Sequence, residues 1–239
     1  MKRKKGCLNL RNDGMISTGL PYLDKLLGGG FPKNTVILIS GGPGAGKTLF
    51  SLNFLLEGAK KGEKSCYISL MENKDELLRA CKGIRSLENV ENYINKNFVI
   101  QGMELSENES NRTFNMKSFV NLLNQYPQID RVVIDNVNKL LLYAADKKKY
   151  RRYFSDLVKE LKKRFSCSLI ICESVDTDSG NGEAYECDGV IKLSFIELEE
   201  KPKRILEVHK LRYSSFEPMV PHEFVVGKEG LKLKKTTVI

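Results

Sequence analysis

The sequence is short of several features that would place it in common classes. No apolar run in its 239 residues approaches the roughly 18 residues needed to cross a bilayer. The opening stretch from Met1 to Leu10 is basic but has no apolar segment of the kind that marks a secretory signal, so none is expected. Six cysteines (Cys7, Cys66, Cys81, Cys167, Cys172 and Cys187) show no C-x-x-C spacing, and there are only two histidines, His209 and His222. Zinc is therefore disfavoured. The cysteines are expected to be reduced, mostly buried thiols of a cytoplasmic protein. No internal repeat is visible. With 41% hydrophobic residues there is enough for a core, and the expectation is one large domain over residues 15–239 behind a basic extension at residues 1–14.

Charge is unbalanced. Lys and Arg number 39 against 30 Asp and Glu, a formal net charge of +9. The basic residues cluster at Lys2–Lys5, Lys147–Arg152, Lys159–Arg164 and Lys232–Lys235. Solvated helix faces and tails are the favoured reading, ahead of contact with nucleic acid or an acidic partner.

One stretch carries most of the chemical information. Gly41-Gly42-Pro43-Gly44-Ala45-Gly46-Lys47-Thr48 fits G-x-x-x-x-G-K-[ST], and the nucleotide-binding run is read as continuing through Leu49. Glycines let the backbone approach a polyphosphate with no Cβ in the way. The loop N–H groups then form a nest for anionic oxygens. Lys47 supplies a compact cation to the β- and γ-phosphates, and Thr48 a hydroxyl to Mg2+. The flanks suit this reading. Thr35–Ser40 is a β-branched apolar run, expected as a buried strand, and Leu49, Leu52, Leu55 and Leu56 have helical spacing. The positive end of that helix faces the phosphates.

The rest alternates strands and helices. A short helix over Thr18–Leu27 is expected to stop at Gly28–Gly30. Strands are expected at Ser65–Leu70, Phe98–Ile100, Arg131–Asp135 and Ser168–Cys172. A helix is expected after a cap at Asn73, with Leu77, Leu78, Cys81 and Ile84 on its apolar face. Further helices are expected over Phe114–Gln125 and Tyr150–Phe165, with a polar loop over Gly102–Thr113. Period-two strands follow: Ile191–Phe195 and Ile205–Leu211 around a hairpin loop at Glu199–Lys203, then Phe224–Val226 and Leu231–Leu233. The fold class is α/β, an open and mainly parallel sheet with antiparallel C-terminal strands and a ligand at the C-terminal ends of the parallel ones.

Two carboxylates complete the local site. Asp135 ends an apolar strand, where it would hold Mg2+ through water beside Thr48. Glu72 follows the second strand, where it can polarise a water for attack on the γ-phosphate.

These residues resemble the KaiC-like branch of the RecA-type P-loop ATPases. The resemblance runs from about Met15 to Leu233. It rests on Ser17–Asp24, Gly28–Gly30, Gly41–Thr48, Asp188–Ile191 and Leu206–Arg212. It implies a RecA-like fold, ATP and Mg2+ as ligands, and a homo-oligomer, usually a hexameric ring, with ATP held between subunits. Lys210 and Arg212 match a Lys-x-Arg pair that in such relatives reaches a neighbour's γ-phosphate. Three positions depart from the family pattern. Met71 precedes Glu72 where two glutamates are usual, Glu173-Ser174 stands where Ser-Glu or Ser-Gln is common, and Tyr213 follows Arg212 in place of a glycine. The resemblance implies that all three lie near the γ-phosphate, so slow hydrolysis is expected.

The leading expectation is an ATP-binding ATPase acting as a regulatory switch. A DNA-binding recombinase paralogue is one alternative. Residues Val175–Asp188, where a DNA-binding loop would lie, hold five carboxylates and no Lys or Arg, so nucleic acid is the less favoured partner. The other alternative is a non-hydrolysing, nucleotide-dependent interaction module, motivated by Met71.

Overall fold

A computed structural model describes residues 14–70, 74–82, 84, 87, 89–94, 96–102, 116–126, 128–197, 202–227 and 230–237. The chain begins with β1 (Met15–Ile16), α1 (Pro21–Leu26) and β2 (Phe31–Pro32). β1 and β2 pair antiparallel in a small sheet of their own, which the sequence reading did not anticipate. α1 carries proline in its first turn and ends at glycines 28–30, all with positive φ. Only glycine adopts that conformation freely, so the helix cannot continue.

The central sheet is built on β3 (Thr35–Gly41), which leads into α2 (Lys47–Lys60). Then come β4 (Ser65–Ser69), α3 (Lys74–Lys82), β5 (Phe98–Gly102), α4 (Met116–Asn124) and β6 (Arg131–Asp135). A 3-10 helix (Val137–Tyr143) leads to α5 (Lys147–Arg164), β7 (Cys167–Glu173), α6 (Glu183–Glu186) and β8 (Gly189–Ile196). The chain closes with β9 (Lys203–Leu211), β10 (His222–Gly227) and β11 (Gly230–Thr237). Among the described residues these strands form a nine-stranded sheet in the order β11-β10-β9-β8-β3-β7-β6-β4-β5. The pairs from β8 to β5 are parallel, and those joining β8, β9, β10 and β11 are antiparallel. The α/β class, the mainly parallel sheet and its antiparallel end are as the sequence indicated.

Burial explains the continuous apolar runs. Every residue of β3 is buried, because helices cover both faces of a parallel sheet. Alternation then divides its side chains. Ile37 and Ile39 join a core with Phe50, Phe54 and Leu55 of α2, while Val36 and Leu38 join another with Tyr150, Phe154 and Leu157 of α5.

One charged side chain lies inside the first layer. The Arg131 guanidinium donates to Ser17 O (2.7 Å) and Phe54 O (2.9 Å), forms a two-pronged pair with Glu63, and lies 4.7 Å from the Phe54 ring centroid. It thereby ties the N-terminal segment, α2 and β6 together. Gly58 in α2 is required here, because a Cβ would meet Arg131 Nε at 2.5 Å.

Boundaries moved for local reasons. α5 starts at Lys147, three residues before the expected Tyr150, because the Asp146 side chain accepts from Lys149 N (2.7 Å) and caps the helix. β7 gains Cys167 and Glu173 because it pairs with β3 along its whole length. The expected cap Asn73, the carboxylate Glu72 with its neighbour Met71, most of the polar loop expected over Gly102–Thr113, and Phe114 lie outside the described residues, as does most of the hairpin loop. The five described cysteines are buried free thiols.

Candidate functional site

The Gly-rich run leaves the C-terminal end of β3 and opens α2, as its spacing requires. Gly44 and Gly46 have φ of 73° and 103°, conformations that favour glycine, and Gly46 is the N-cap of α2. The loop is backed from below. A Cβ on Gly41 would lie 2.5 Å from Leu193 O of β8, and one on Gly46 would lie 2.9 Å from the Phe224 ring of β10. Arg204 Nε on β9 donates to Gly44 O (3.1 Å). Pro43 and Gly44 are exposed, Gly42 is half-buried, Ala45 is buried, and Leu49 packs against the core under the loop.

Four side chains converge at this end of the sheet, Lys47, Thr48, Asp135 and Tyr67. Lys47 Nζ donates to Gly42 O (2.9 Å), bending over the loop. Thr48 Oγ1 donates to Asp135 Oδ2 at 3.5 Å, and the Tyr67 hydroxyl donates to the same oxygen. Burial lowers the Lys47 pKa, opposed by the negative charges of Glu173 and Asp135. Burial raises that of Asp135, opposed by the Tyr67 hydrogen bond, the Lys47 charge and the Thr48 hydrogen bond. A hydroxyl and a carboxylate this close are hard oxygen donors of the kind that bind Mg2+ alongside substrate phosphates. A loop with glycine at four of its six positions, followed by a helix N-terminus and a lysine, suits a polyphosphate. The residues present fit both groups.

Lys210 and Arg212 are not part of this cluster. Lys210 pairs with Val190, and Val190 with Leu38 near the start of β3, whereas the Gly-rich loop begins beyond Gly41. Lys210 Nζ donates to Ala184 O (2.8 Å), Tyr185 O (3.1 Å) and Cys187 O (2.7 Å), capping the carbonyl end of α6. Burial and the nearby Arg212 charge lower its pKa. Arg212 Nη1 stands 3.5 Å from the buried Asp188 Oδ1, which also receives Lys162 Nζ at 2.8 Å. Tyr213, in the place of a glycine, has φ of 64° and is exposed.

This geometry is that of a nucleotide-binding sheet, and comparison with known proteins identifies it. A family model described as "ATPase: KaiC" matches residues 16–238. The chain belongs to the KaiC ATPase family. Membership of an ATPase family implies nucleotide binding. The chain is 28% identical over 231 residues to a UPF0273 protein of Pyrococcus horikoshii, covering 90% of this chain and 92% of the relative. It is also 28% identical over 245 residues to a UPF0273 protein of Thermotoga maritima, with 90% and 94% covered. The crystal structure of a KaiC-like protein from Pyrococcus horikoshii superposes with a TM-score of 0.76 at 24% identity, covering 92% of this chain and 98% of that one. This likeness shows the RecA-like fold. No described helix is long and apolar enough to cross a membrane.

Tyr67, Arg204 and Phe224 support the site but were not singled out from sequence. Tyr67 gives only a weak signal, a polar tip in an otherwise apolar strand. The acidic window Val175–Asp188 also reads differently in three dimensions. Glu183 accepts from Tyr150 Oη (2.6 Å), Asp178 accepts from Gly180 N (2.9 Å) and Ala184 N (3.1 Å), and Asp188 is paired as above. Three of the five carboxylates therefore hold the segment's own fold, and only Asp176 and Glu186 stand exposed.

Proposed function

We propose that this KaiC-family chain binds Mg2+–ATP in the Gly41–Leu49 cradle and hydrolyses it slowly between subunits of a homo-oligomeric ring, as a regulatory switch. The carrying observation is the convergence of Lys47, Thr48 and Asp135 around a glycine-rich loop at the end of β3. Lys47 neutralises β- and γ-phosphate charge. Thr48 and Asp135 would hold Mg2+, and the Tyr67 hydroxyl on Asp135 Oδ2 fixes the carboxylate's orientation. Mg2+ supplies charge neutralisation on the phosphates. Lys210 and Arg212 lie at the opposite end of the strands from the chain's own cradle, so in this reading they serve ATP held by a neighbour. Glu72 is the candidate for positioning the attacking water.

The test is equilibrium binding of a fluorescent ATP analogue with and without Mg2+, together with phosphate release. Lys47→Ala, with its fold intact, is expected to weaken binding by at least about tenfold through loss of a charge-assisted contact. Unchanged affinity in that variant would overturn the site assignment. Binding with no phosphate release favours the interaction-module reading that Met71 suggests. In that case Met71→Glu is expected to restore turnover if the missing carboxylate is the cause.

A further inference from the structure

Glu173 is the last residue of β7 and the only exposed one in that strand. It pairs with Gly41, the residue from which the Gly-rich loop departs, and Ser174 N continues the ladder to Gly41 O (3.2 Å). Its backbone is clamped by a single amide. Glu173 N donates to Asn138 Oδ1 (2.7 Å), and Asn138 Nδ2 donates to Glu173 O (3.0 Å). Its carboxylate accepts from Asn136 Nδ2 at 3.5 Å, next to Asp135. It is the strongest opposing charge on Lys47, ahead of Asp135 itself. Ser174 turns the other way and donates to Asp178 O (2.6 Å) within the following loop. The strand end thus presents one carboxylate, on a rigid backbone, to the amine expected to hold the γ-phosphate.

The carboxylate caps no helix, Asn136 Nδ2 reaches it only at 3.5 Å, and Asn138 binds the Glu173 backbone and leaves the carboxylate exposed. Asp135 already has the Thr48 and Tyr67 hydroxyls and is assigned to Mg2+. We infer that Glu173 is a catalytic residue of the hydrolysis proposed above, accepting a hydrogen bond from the water that attacks the γ-phosphorus. The water oxygen forms the new P–O bond as the bond to the β–γ bridging oxygen breaks. That electron pair leaves with ADP, and the water proton passes by way of Glu173 to inorganic phosphate or solvent. Atoms balance as ATP and water giving ADP, phosphate and a proton. The inference rests on the ATPase reading and adds to it a residue from a different strand than Glu72.

The same placement has a consequence that needs no turnover. A carboxylate beside the γ-phosphate repels it, so its removal favours ATP over ADP. Glu173→Gln keeps the shape and loses the charge. Relative to wild type it is expected to lower kcat at least about tenfold. The ratio of ATP to ADP affinity, measured with Mg2+ by calorimetry, is expected to rise about threefold or more. Glu173→Asp is expected to recover part of kcat. Three results would overturn the inference: kcat within about twofold of wild type, an unchanged affinity ratio, or equal weakening of both nucleotides with a lowered unfolding midpoint. The last would mark a structural counter-ion to Lys47. Wild-type protein that binds ATP but releases no phosphate would overturn the hydrolysis reading itself, and the catalytic role with it. That failure is told apart by appearing before any variant is made.

Discussion

If Lys210 and Arg212 serve a neighbour's ATP, two inactive variants should repair each other. The structure sets the scale. Leu211 pairs with Gly189, and Gly189 with Ile37, so Arg212 lies level with the first half of β3. From Ile37 to Gly42 is five residues, about 16 Å at the rise of a strand, roughly twice the reach of an arginine side chain. Arg212 therefore cannot serve the cradle of its own chain. Lys47→Ala removes the cradle's lysine, and Arg212→Ala removes the finger. Arginine fingers are worth about 10³–10⁵ in rate where they act, so each parent should be nearly inactive. In a ring assembled at random from equal amounts, about one interface in four joins an intact cradle to an intact finger. Phosphate release by the mixture should reach about a quarter of the wild-type rate per site, far above either parent. Subunit exchange is followed in the same samples by energy transfer between labelled chains. A fully exchanged mixture that stays as inactive as its parents would refute the trans assignment. So would an Arg212→Ala protein with wild-type turnover, which would leave the pair as a link between β9, α6 and Asp188.

Two predictions concern the scaffold. Gly58→Ala sets helix propensity, which favours alanine by about 1 kcal/mol, against a Cβ 2.5 Å from Nε of the Arg131 guanidinium, which four hydrogen bonds hold in place. The clash is expected to win by about 2 kcal/mol, read as a lower denaturant midpoint, and a raised midpoint would show that Arg131 can move. Burial pushes the His222 imidazole below its ordinary pKa, opposed by the charge of Glu217. The neutral ring is the form that suits the fold, so its contribution is fully present above about pH 6.5 and is lost as pH falls through the lowered folded value. Between pH 7.5 and 5.5 the wild type should therefore lose more stability than His222→Gln, measured by urea unfolding, and equal losses would contradict this.

What could be read from the sequence was local in its chemistry. The Gly41–Thr48 cradle is a run of consecutive residues whose types and spacing follow from the shape of a polyphosphate, so its place between a strand and a helix needed no knowledge of the rest of the chain. Asp135 was legible because an apolar strand that ends in a carboxylate stands out. Buried parallel strands also announced themselves as continuous β-branched runs. The tertiary structure decided which distant residues meet, because strand register is set by pairing across the whole sheet. Tyr67 reaches Asp135 only because Ser69 pairs with Asp135. Glu173 faces Lys47 only because it pairs with Gly41. Asp178, Glu183 and Asp188 looked like a repulsive acidic surface, and folding turned them inward onto amides, Tyr150 and Lys162. The position of Lys210 and Arg212, at the opposite end of the strands from the cradle, comes from the order and register of β8, β9 and β3 in the sheet. The hairpin of β8 and β9 was legible, but which strand it would lie beside was not, because alternation of apolar and polar side chains names no neighbour.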